Sequence, residues 1–288
     1  MNYCEQPLVF SVADEQTLGI AALPELPRDC GVLIPVGGPQ YRVGSHRQFL
    51  LLSRRLAAKG FPVFRFDYRG MGDGDGAIRS FENVSEDIGA AIDAFQTLCP
   101  GVRRMVLWGL CDAASAILMY MQAKRDDRVE GLVLLNPWVR SEVSLAQTHI
   151  KHYYGQRLMQ REFWLKLVSG KLRLLDSVRE FLNNTKKARQ APETAGRVLS
   201  FRDRMADGFR QFRGNILLIL SGQDYTAREF IEFSSANTAW FGLVEAANVR
   251  RFDIPDADHT FSSADLRIRA EEITLAWLKA HSSDQEPR

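Results

Sequence analysis

The sequence has 288 residues, of which 45% are hydrophobic and 25% are charged, the composition of a soluble globular protein. Its formal net charge of +2 argues against a nucleic-acid-binding protein, because such domains are strongly basic. No apolar run approaches the length of a membrane span, so we expect no transmembrane helix. The first residues lack the basic and apolar regions of a secretory signal, and we therefore expect the protein in the cytoplasm.

The four cysteines are Cys4, Cys30, Cys99 and Cys111. Their spacing contains neither a C-x-x-C pair nor a zinc-ligand pattern. Because a reducing compartment keeps cysteines as thiols, we expect no disulfide. We also expect no metal and no cofactor.

The first part of the chain predicts strands that alternate with helices. Alternating apolar and polar residues predict an antiparallel hairpin at 6–24. Buried apolar runs and helical spacing predict the following elements: strands at 31–38, 61–67, 104–109 and 129–136, and helices at 46–59 and 81–97. This alternation predicts an α/β fold with a mostly parallel central sheet flanked by helices on both faces.

The alternation stops between residues 140 and 213, where the sequence contains helical stretches and 16 Lys plus Arg against 7 Asp plus Glu. We predict that this segment forms a helical cap inserted over the carboxyl edge of the sheet, where open parallel sheets bind ligands. Two further strands and a helix follow. Residues 1–139 and 214–281 are therefore predicted to form the core, and residues 282–288 a disordered tail.

Residues 105–115 predict a buried strand that turns at Cys111 into a helix of small residues. Gly109 and Ala113 supply the small side chains that such a turn needs. A helix beginning after Cys111 would direct its N–H groups and positive dipole end at the sulfur and favour the thiolate. This pattern is that of a nucleophile elbow carrying a thiol, although a buried, inert cysteine is the alternative.

Two later predicted strands are each followed, near their carboxyl ends, by a residue suited to catalysis. Asp224 follows the strand that starts at Asn215, and His259 follows the strand that starts at Val249. The chain order is nucleophile, acid, base, which is the order of the α/β-hydrolase triad. We therefore predict that Cys111, Asp224 and His259 form a catalytic triad.

These motifs, with the Asp-x-Arg-Gly-x-Gly segment at 67–72, resemble the α/β-hydrolase superfamily over residues 8–281. The segments V-G-G-P-Q-Y-R-V-G-S-H-R-Q at 36–48 and G-L-C-D-A-A-S-A at 109–116 further resemble the exosortase A system-associated hydrolases of the first type. Members of that group are encoded beside exopolysaccharide and exosortase genes in Gram-negative bacteria. The resemblance implies an α/β-hydrolase fold and a genomic setting, but it names no substrate.

The sequence departs from the superfamily where the oxyanion hole forms. The usual His-Gly pair after the third strand is replaced by Val36-Gly37-Gly38, and Pro39 has no N–H to donate. We expect the backbone N–H of Asp112 to act with that of Gly38 or Gln40. Chain reversal is the alternative explanation of the glycine turn.

A cysteine nucleophile suits thioesters and activated esters better than amides. The expected activity is therefore that of an esterase or thioesterase acting through an acyl-enzyme. Two alternatives remain open: an acyltransferase that moves an acyl group from a coenzyme A or carrier-protein thioester to an amine or hydroxyl, and a non-catalytic binding protein on the same fold. The basic segment 140–213 agrees with an anionic acyl carrier, although solubility explains its charge equally well.

Overall fold

In the computed structural model of the protein, residues 2–38, 40–140 and 199–283 are described. Apart from Arg140 and Leu199, these residues belong to one compact unit built from the two ends of the chain. No helix in the described ranges has both the length and the apolar content needed to cross a bilayer.

A single sheet organises this part of the chain. Its eight strands are β1 (Tyr3–Val12), β2 (Glu15–Pro24), β3 (Cys30–Pro35), β4 (Val63–Phe66), β5 (Arg104–Leu110), β6 (Val129–Leu135), β7 (Asn215–Ser221) and β8 (Val249–Ile254). They are hydrogen-bonded in the order β1-β2-β4-β3-β5-β6-β7-β8. Strand β2 is antiparallel to β1 and β4, and every other neighbouring pair is parallel. The predicted hairpin and mostly parallel sheet are confirmed.

Helices cover both faces of the sheet. The α-helices of the described ranges are α1 (Gln48–Ala57), α2 (Ser85–Leu98), α3 (Asp112–Lys124), α4 (Phe201–Gln211), α5 (Tyr225–Ala236) and α6 (Ala264–Ser283). Successive residues of a strand point to opposite faces, so Leu107 of β5 packs with α2 and α3, whereas Val106 and Trp108 pack with α1 and α6. Burial on both faces explains why the central strands are almost continuously apolar.

Helix α4 belongs to the sheet-bearing unit, which corrects one predicted boundary. The cap predicted at 140–213 included this helix, but the helix buries Met205 and Phe209 in the core that also contains α3. Gly208 approaches α3 so closely that an added Cβ would lie 1.9 Å from the carbonyl oxygen of Leu118. The second core segment therefore begins near Ser200 rather than at 214.

Two other predicted segments fall partly or wholly outside the described residues. The remainder of the predicted cap, at 141–198, is one of them. The predicted tail began at 282, but α6 continues to Ser283. Residues 284–288 lie outside the described part of the chain.

Candidate active site

Cys111 occupies a sharp turn between β5 and α3. Its φ of 62° and ψ of −125° are rarely adopted by a residue with a side chain, and such backbone strain costs about 1–3 kcal/mol. Gly109 is required here, because a Cβ at that position would lie 2.8 Å from the backbone of Ala113 and Ala114. The predicted strand, tight turn and helix are confirmed, and their geometry is that of a nucleophile elbow.

The turn at Cys111 is fixed by backbone hydrogen bonds. The N–H of Cys111 donates to the carbonyl of Leu135 at 2.8 Å, and its own carbonyl accepts from Ala114 at 3.1 Å and from Trp138 at 3.2 Å. The residue is half-buried and lies at the N-terminal end of α3. All four cysteines of the chain are thiols rather than disulfides.

Asp224 and His259 lie in direct contact. Nδ1 of His259 is 2.8 Å from Oδ2 of Asp224. The Asp224 carboxylate also caps α5, accepting from the N–H of Thr226 at 3.0 Å and of Ala227 at 3.2 Å. The Asp224 side chain is 6% exposed and that of His259 is 33% exposed, so the carboxylate is buried while the imidazole is partly accessible.

Asn136 links the elbow to the loop that carries the histidine. Its Nδ2 donates to Oγ of Ser221 at 2.9 Å and to the carbonyl of His259 at 3.3 Å, and its Oδ1 accepts from the N–H of Ser221 at 2.9 Å. Asn136 directly follows Leu135, whose carbonyl accepts the hydrogen bond from the Cys111 N–H. Asn136 was not singled out from the sequence, although an amide that ends the apolar strand β6 is the signal that could have identified it.

The Asp112 carboxylate lies against the Gly38 N–H, one of the predicted oxyanion donors. Its Oδ2 accepts from the N–H of Gly38 at 2.8 Å. Burial raises the pKa of Asp112, while the hydrogen bond from the Gly38 N–H acts in the opposite direction. The N–H of Gly38, one of the predicted donors, is therefore already hydrogen-bonded to a carboxyl group of the protein itself.

The glycine loop is shaped to admit this carboxylate. A Cβ on Gly37 would lie 1.9 Å from Oδ1 of Asp112, so no other residue type fits there without movement. Gln40, the third predicted donor, places its side-chain Oε1 3.0 Å from the N–H of Ser45. The glycine turn thus makes specific contacts beyond reversing the chain.

A cavity of about 720 Å³ borders Asp112, a volume within the usual range for small-molecule sites. Its lining combines apolar and polar groups, among them Gly38, Gln40, Tyr68, Met71, Phe81 and Asp112. A second cavity of about 770 Å³ includes Val129 and Asn215 in its lining, at the amino ends of β6 and β7. Because parallel sheets bind ligands at their carboxyl ends, the cavity beside Asp112 is the better candidate.

Two ion pairs hold the loop that carries Tyr68, one of the residues that line this cavity. Arg42 pairs with Asp67, and Arg69 donates to both carboxylate oxygens of Asp87, at 3.1 Å and 2.9 Å. Tyr68 itself is only 2% exposed. Its backbone position is therefore fixed on both sides by buried charged groups.

A family model described as serine aminopeptidase, S33, matches residues 43–225. That range contains the elbow and Asp224, and it spans more than half of the chain. The chain belongs to this serine aminopeptidase family. It is a hydrolase with the α/β-hydrolase fold, and its elbow carries Cys111 although the family description names serine.

Solved structures with the same fold come from several organisms. An esterase from Pyrococcus furiosus is 15% identical with a TM-score of 0.62, over 96% of this chain and 93% of the esterase. A putative hydrolase from Agrobacterium vitis S4 is 17% identical with a TM-score of 0.59, over 96% of this chain and 99% of its own. An acylaminoacyl peptidase from Pyrococcus horikoshii is 16% identical with a TM-score of 0.61, over 97% of this chain and 41% of the peptidase. No curated protein sequence is significantly similar to this one.

Within the described ranges, no group of three or more His, Cys, Asp and Glu residues is arranged to bind a metal ion. Most of the basic segment that suggested an anionic acyl carrier lies outside those ranges. The described part of the site contains thiol, imidazole, carboxylate and backbone N–H groups.

Proposed function

We propose that this member of the serine aminopeptidase family hydrolyses an ester or thioester through Cys111, His259 and Asp224. The observation that carries the proposal is the 2.8 Å contact between His259 Nδ1 and Asp224 Oδ2, at the same carboxyl edge of the sheet as the strained turn of Cys111. A thiol, a base and an oriented acid are the parts that covalent acyl transfer needs.

In the proposed reaction, Nε2 of His259 takes the proton of the Cys111 thiol, and Sγ attacks the substrate carbonyl carbon. A C–S bond forms and the carbonyl oxygen becomes an oxyanion. When the intermediate collapses, the bond to the leaving alcohol or thiol breaks and that group takes the proton from His259. Water, deprotonated by His259, then cleaves the thioester acyl-enzyme, which releases the acid and restores the thiol.

Asp224 acts by orienting His259. A carboxylate on Nδ1 requires the proton on that nitrogen, which leaves Nε2 as the basic atom of the imidazole. The two N–H groups of α5 that donate to the Asp224 carboxylate fix it before substrate arrives. This fixed geometry lowers the reorganisation needed during the reaction.

The proposed oxyanion donors are the N–H groups of Gly38 and Asp112, with Gln40 as the next candidate on the same loop. Each such donor is typically worth about 3 kcal/mol in the transition state. The Gly38 N–H binds a carboxylate oxygen at 2.8 Å, which supports its ability to bind an oxyanion. The Asp112 carboxylate has to leave this position before a substrate oxygen can take it.

The nature of the substrate is inferred from the nucleophile and from the sequence resemblance. Attack by cysteine on a thioester exchanges one thioester for another and is close to thermoneutral, so we propose a thioester or an activated ester. We propose that the activity is linked to exopolysaccharide and exosortase systems, on the resemblance of 36–48 and 109–116, with coenzyme A or an acyl carrier protein as the acyl donor.

The test is steady-state hydrolysis of p-nitrophenyl acetate and of an acetyl thioester of N-acetylcysteamine by the wild type and by Cys111→Ala. We expect kcat/KM to fall by about 10³-fold or more in the variant. Cys99→Ala is the matched control, because Cys99 is also half-buried but follows α2, and its kcat/KM should be unchanged. Unchanged turnover in Cys111→Ala would contradict the proposal, and an amide product formed with an added amine would indicate acyl transfer instead of hydrolysis.

A further inference from the structure

The Asp112 carboxylate occupies the position that the proposed mechanism reserves for the substrate oxyanion. Its Oδ2 is 2.8 Å from the Gly38 nitrogen, and the residue lies directly after the nucleophile at the N-terminal end of α3. Two negatively charged oxygens cannot share these donors, because like charges at contact distance repel strongly at a site shielded from water. The carboxylate and the oxyanion therefore compete.

We propose that Tyr68 is a positioning residue for this reaction: its phenol receives the Asp112 carboxylate when the acyl oxygen takes the Gly38 N–H. The inference rests on the proposed function. In the free protein the carboxylate is bonded to Gly38, and in the substrate complex it is bonded to the hydroxyl of Tyr68. Asp112 and Tyr68 together determine how readily the oxyanion site becomes available.

The first support is that both side chains have unsatisfied polar atoms in the free protein. Oη of Tyr68 and Oδ1 of Asp112 are buried and have no hydrogen-bond partner among the described residues. A buried polar atom without a partner costs free energy, and a phenol hydroxyl is a donor while a carboxylate oxygen is an acceptor. A bond between the two side chains satisfies both atoms.

The second support is location. Tyr68 and Asp112 line the same cavity, so a rotation of the Asp112 side chain away from Gly38 takes place inside existing space. Burial raises the pKa of Tyr68, and the nearby Asp112 charge raises it further. The phenol is therefore already within electrostatic reach of the carboxylate.

Arg79 also lines this cavity and is the other group able to receive a carboxylate. Its Nη2 lies 2.8 Å from Oε2 of Glu15, whereas its Nε, like Oη of Tyr68, is buried without a partner among the described residues. The hydroxyl is the only polar group of the Tyr68 side chain, so Tyr68 has no ion pair to give up when it binds the carboxylate. The structure therefore favours Tyr68 as the hydrogen-bond donor to the displaced carboxylate, and Arg79 provides an alternative that an experiment can separate.

A double-mutant cycle tests the inference. We measure kcat/KM for p-nitrophenyl acetate with the wild type, Asp112→Ala, Tyr68→Phe and the double variant. Asp112→Ala removes the competing carboxylate and should raise kcat/KM about tenfold, while Tyr68→Phe should lower it about tenfold, since a hydrogen bond to a charged group is worth at least that factor. In the Asp112→Ala background, Tyr68→Phe should have no effect, because no carboxylate remains to be received.

Thermal unfolding of the same four proteins separates this role from a structural one. Tyr68 and Asp112 are not bonded in the free protein, so their effects on the unfolding temperature should add. Tyr120→Phe is the matched control: Tyr120 is equally buried, but its Oη donates to Asp126 at 2.6 Å. Its effect on kcat/KM should be the same with or without Asp112.

Three results would overturn the inference: a fall of kcat/KM in Asp112→Ala, additive effects of Asp112→Ala and Tyr68→Phe on kcat/KM, or coupling of Asp112 to Arg79→Gln in place of Tyr68→Phe. Each is distinct from failure of the proposed function. That failure would appear as full activity in Cys111→Ala, whatever the outcome of the cycle.

Discussion

Nδ1 of His259 lies 2.8 Å from a carboxylate oxygen of Asp224 that also caps helix α5. The carboxylate is thus hydrogen-bonded both to the N-terminal end of α5 and to the imidazole. Helix caps typically contribute about 1 kcal/mol. The same carboxylate therefore serves both the fold and the proposed chemistry, and substitutions can separate the two roles.

Asp224→Asn should preserve the fold and remove most of the activity. The asparagine oxygen can still cap α5, but its amide N–H₂ group would favour the wrong tautomer of His259, and kcat should fall about 10³ to 10⁴-fold. Stopped-flow or steady-state assays measure the fall in kcat. The free energy of unfolding, measured by urea denaturation, should change by less than about 1 kcal/mol. Asp253→Asn, at an exposed position of β8, is the control and should retain full activity. A loss below tenfold in Asp224→Asn would argue against the orienting role.

Cys111→Gly should be more stable than Cys111→Ala. The turn has φ 62° and ψ −125°, a conformation that glycine adopts without the strain of a Cβ. The relief should exceed the extra entropy of the unfolded glycine chain, giving a gain of about 1 kcal/mol in the free energy of unfolding. Urea denaturation of the two variants measures this. Equal stabilities would mean that the turn stores no strain.

Gly208→Ala should destabilise the protein if α4 belongs to the core. An added Cβ would lie 1.9 Å from the carbonyl oxygen of Leu118, so α3 and α4 would have to separate, at a cost of about 1–3 kcal/mol. Gly101→Ala is the control, because a Cβ there meets nothing within 4 Å. A neutral Gly208→Ala, measured by urea unfolding, would contradict the close packing of α4 on α3.

Asp126→Asn should reduce the sensitivity of stability to acid. Burial acts to raise the pKa of Asp126, but hydrogen bonds from Arg128 and Tyr120 outweigh it and lower the pKa from its usual value. A group with a lowered folded-state pKa stabilises the fold above its unfolded pKa of about 4 and loses this contribution as the pH falls through the folded value. Unfolding free energies measured from pH 6 downwards should therefore decline less steeply in the variant. Asp127→Asn, at the exposed neighbouring position, should follow the wild-type curve.

Much of the fold was predictable because its signals are local. Strands β5 and β6 are continuous apolar runs, and burial on both faces makes such runs easy to recognise. The elbow at Cys111 followed from small residues at fixed spacing, and the contact between Asp224 and His259 followed from their positions beyond two strand ends. Whether the thiol itself reacts with substrate stays a prediction.

The features that the sequence did not predict are long-range contacts. The bond from Gly38 to Asp112 joins residues 74 positions apart, and no periodic pattern indicates that a side chain will enter a site predicted for a substrate oxygen. Asn136 was missed for the same reason. The segment 140–213 that contains α4 was predicted to hold helical stretches, but an amphipathic pattern shows which face of a helix is buried without showing its partner, so α4 was assigned to the cap instead of the core.

Trapping the acyl-enzyme tests the central claim most directly. The protein is mixed with excess p-nitrophenyl acetate and quenched within the first turnover, and its peptides are analysed by mass spectrometry. We predict one acetyl group on the peptide containing Cys111, together with a burst of p-nitrophenol equal to the amount of enzyme. The same burst from Cys111→Ala, or turnover by the wild type with Cys111 unmodified while another residue carries the acetyl group, would contradict it.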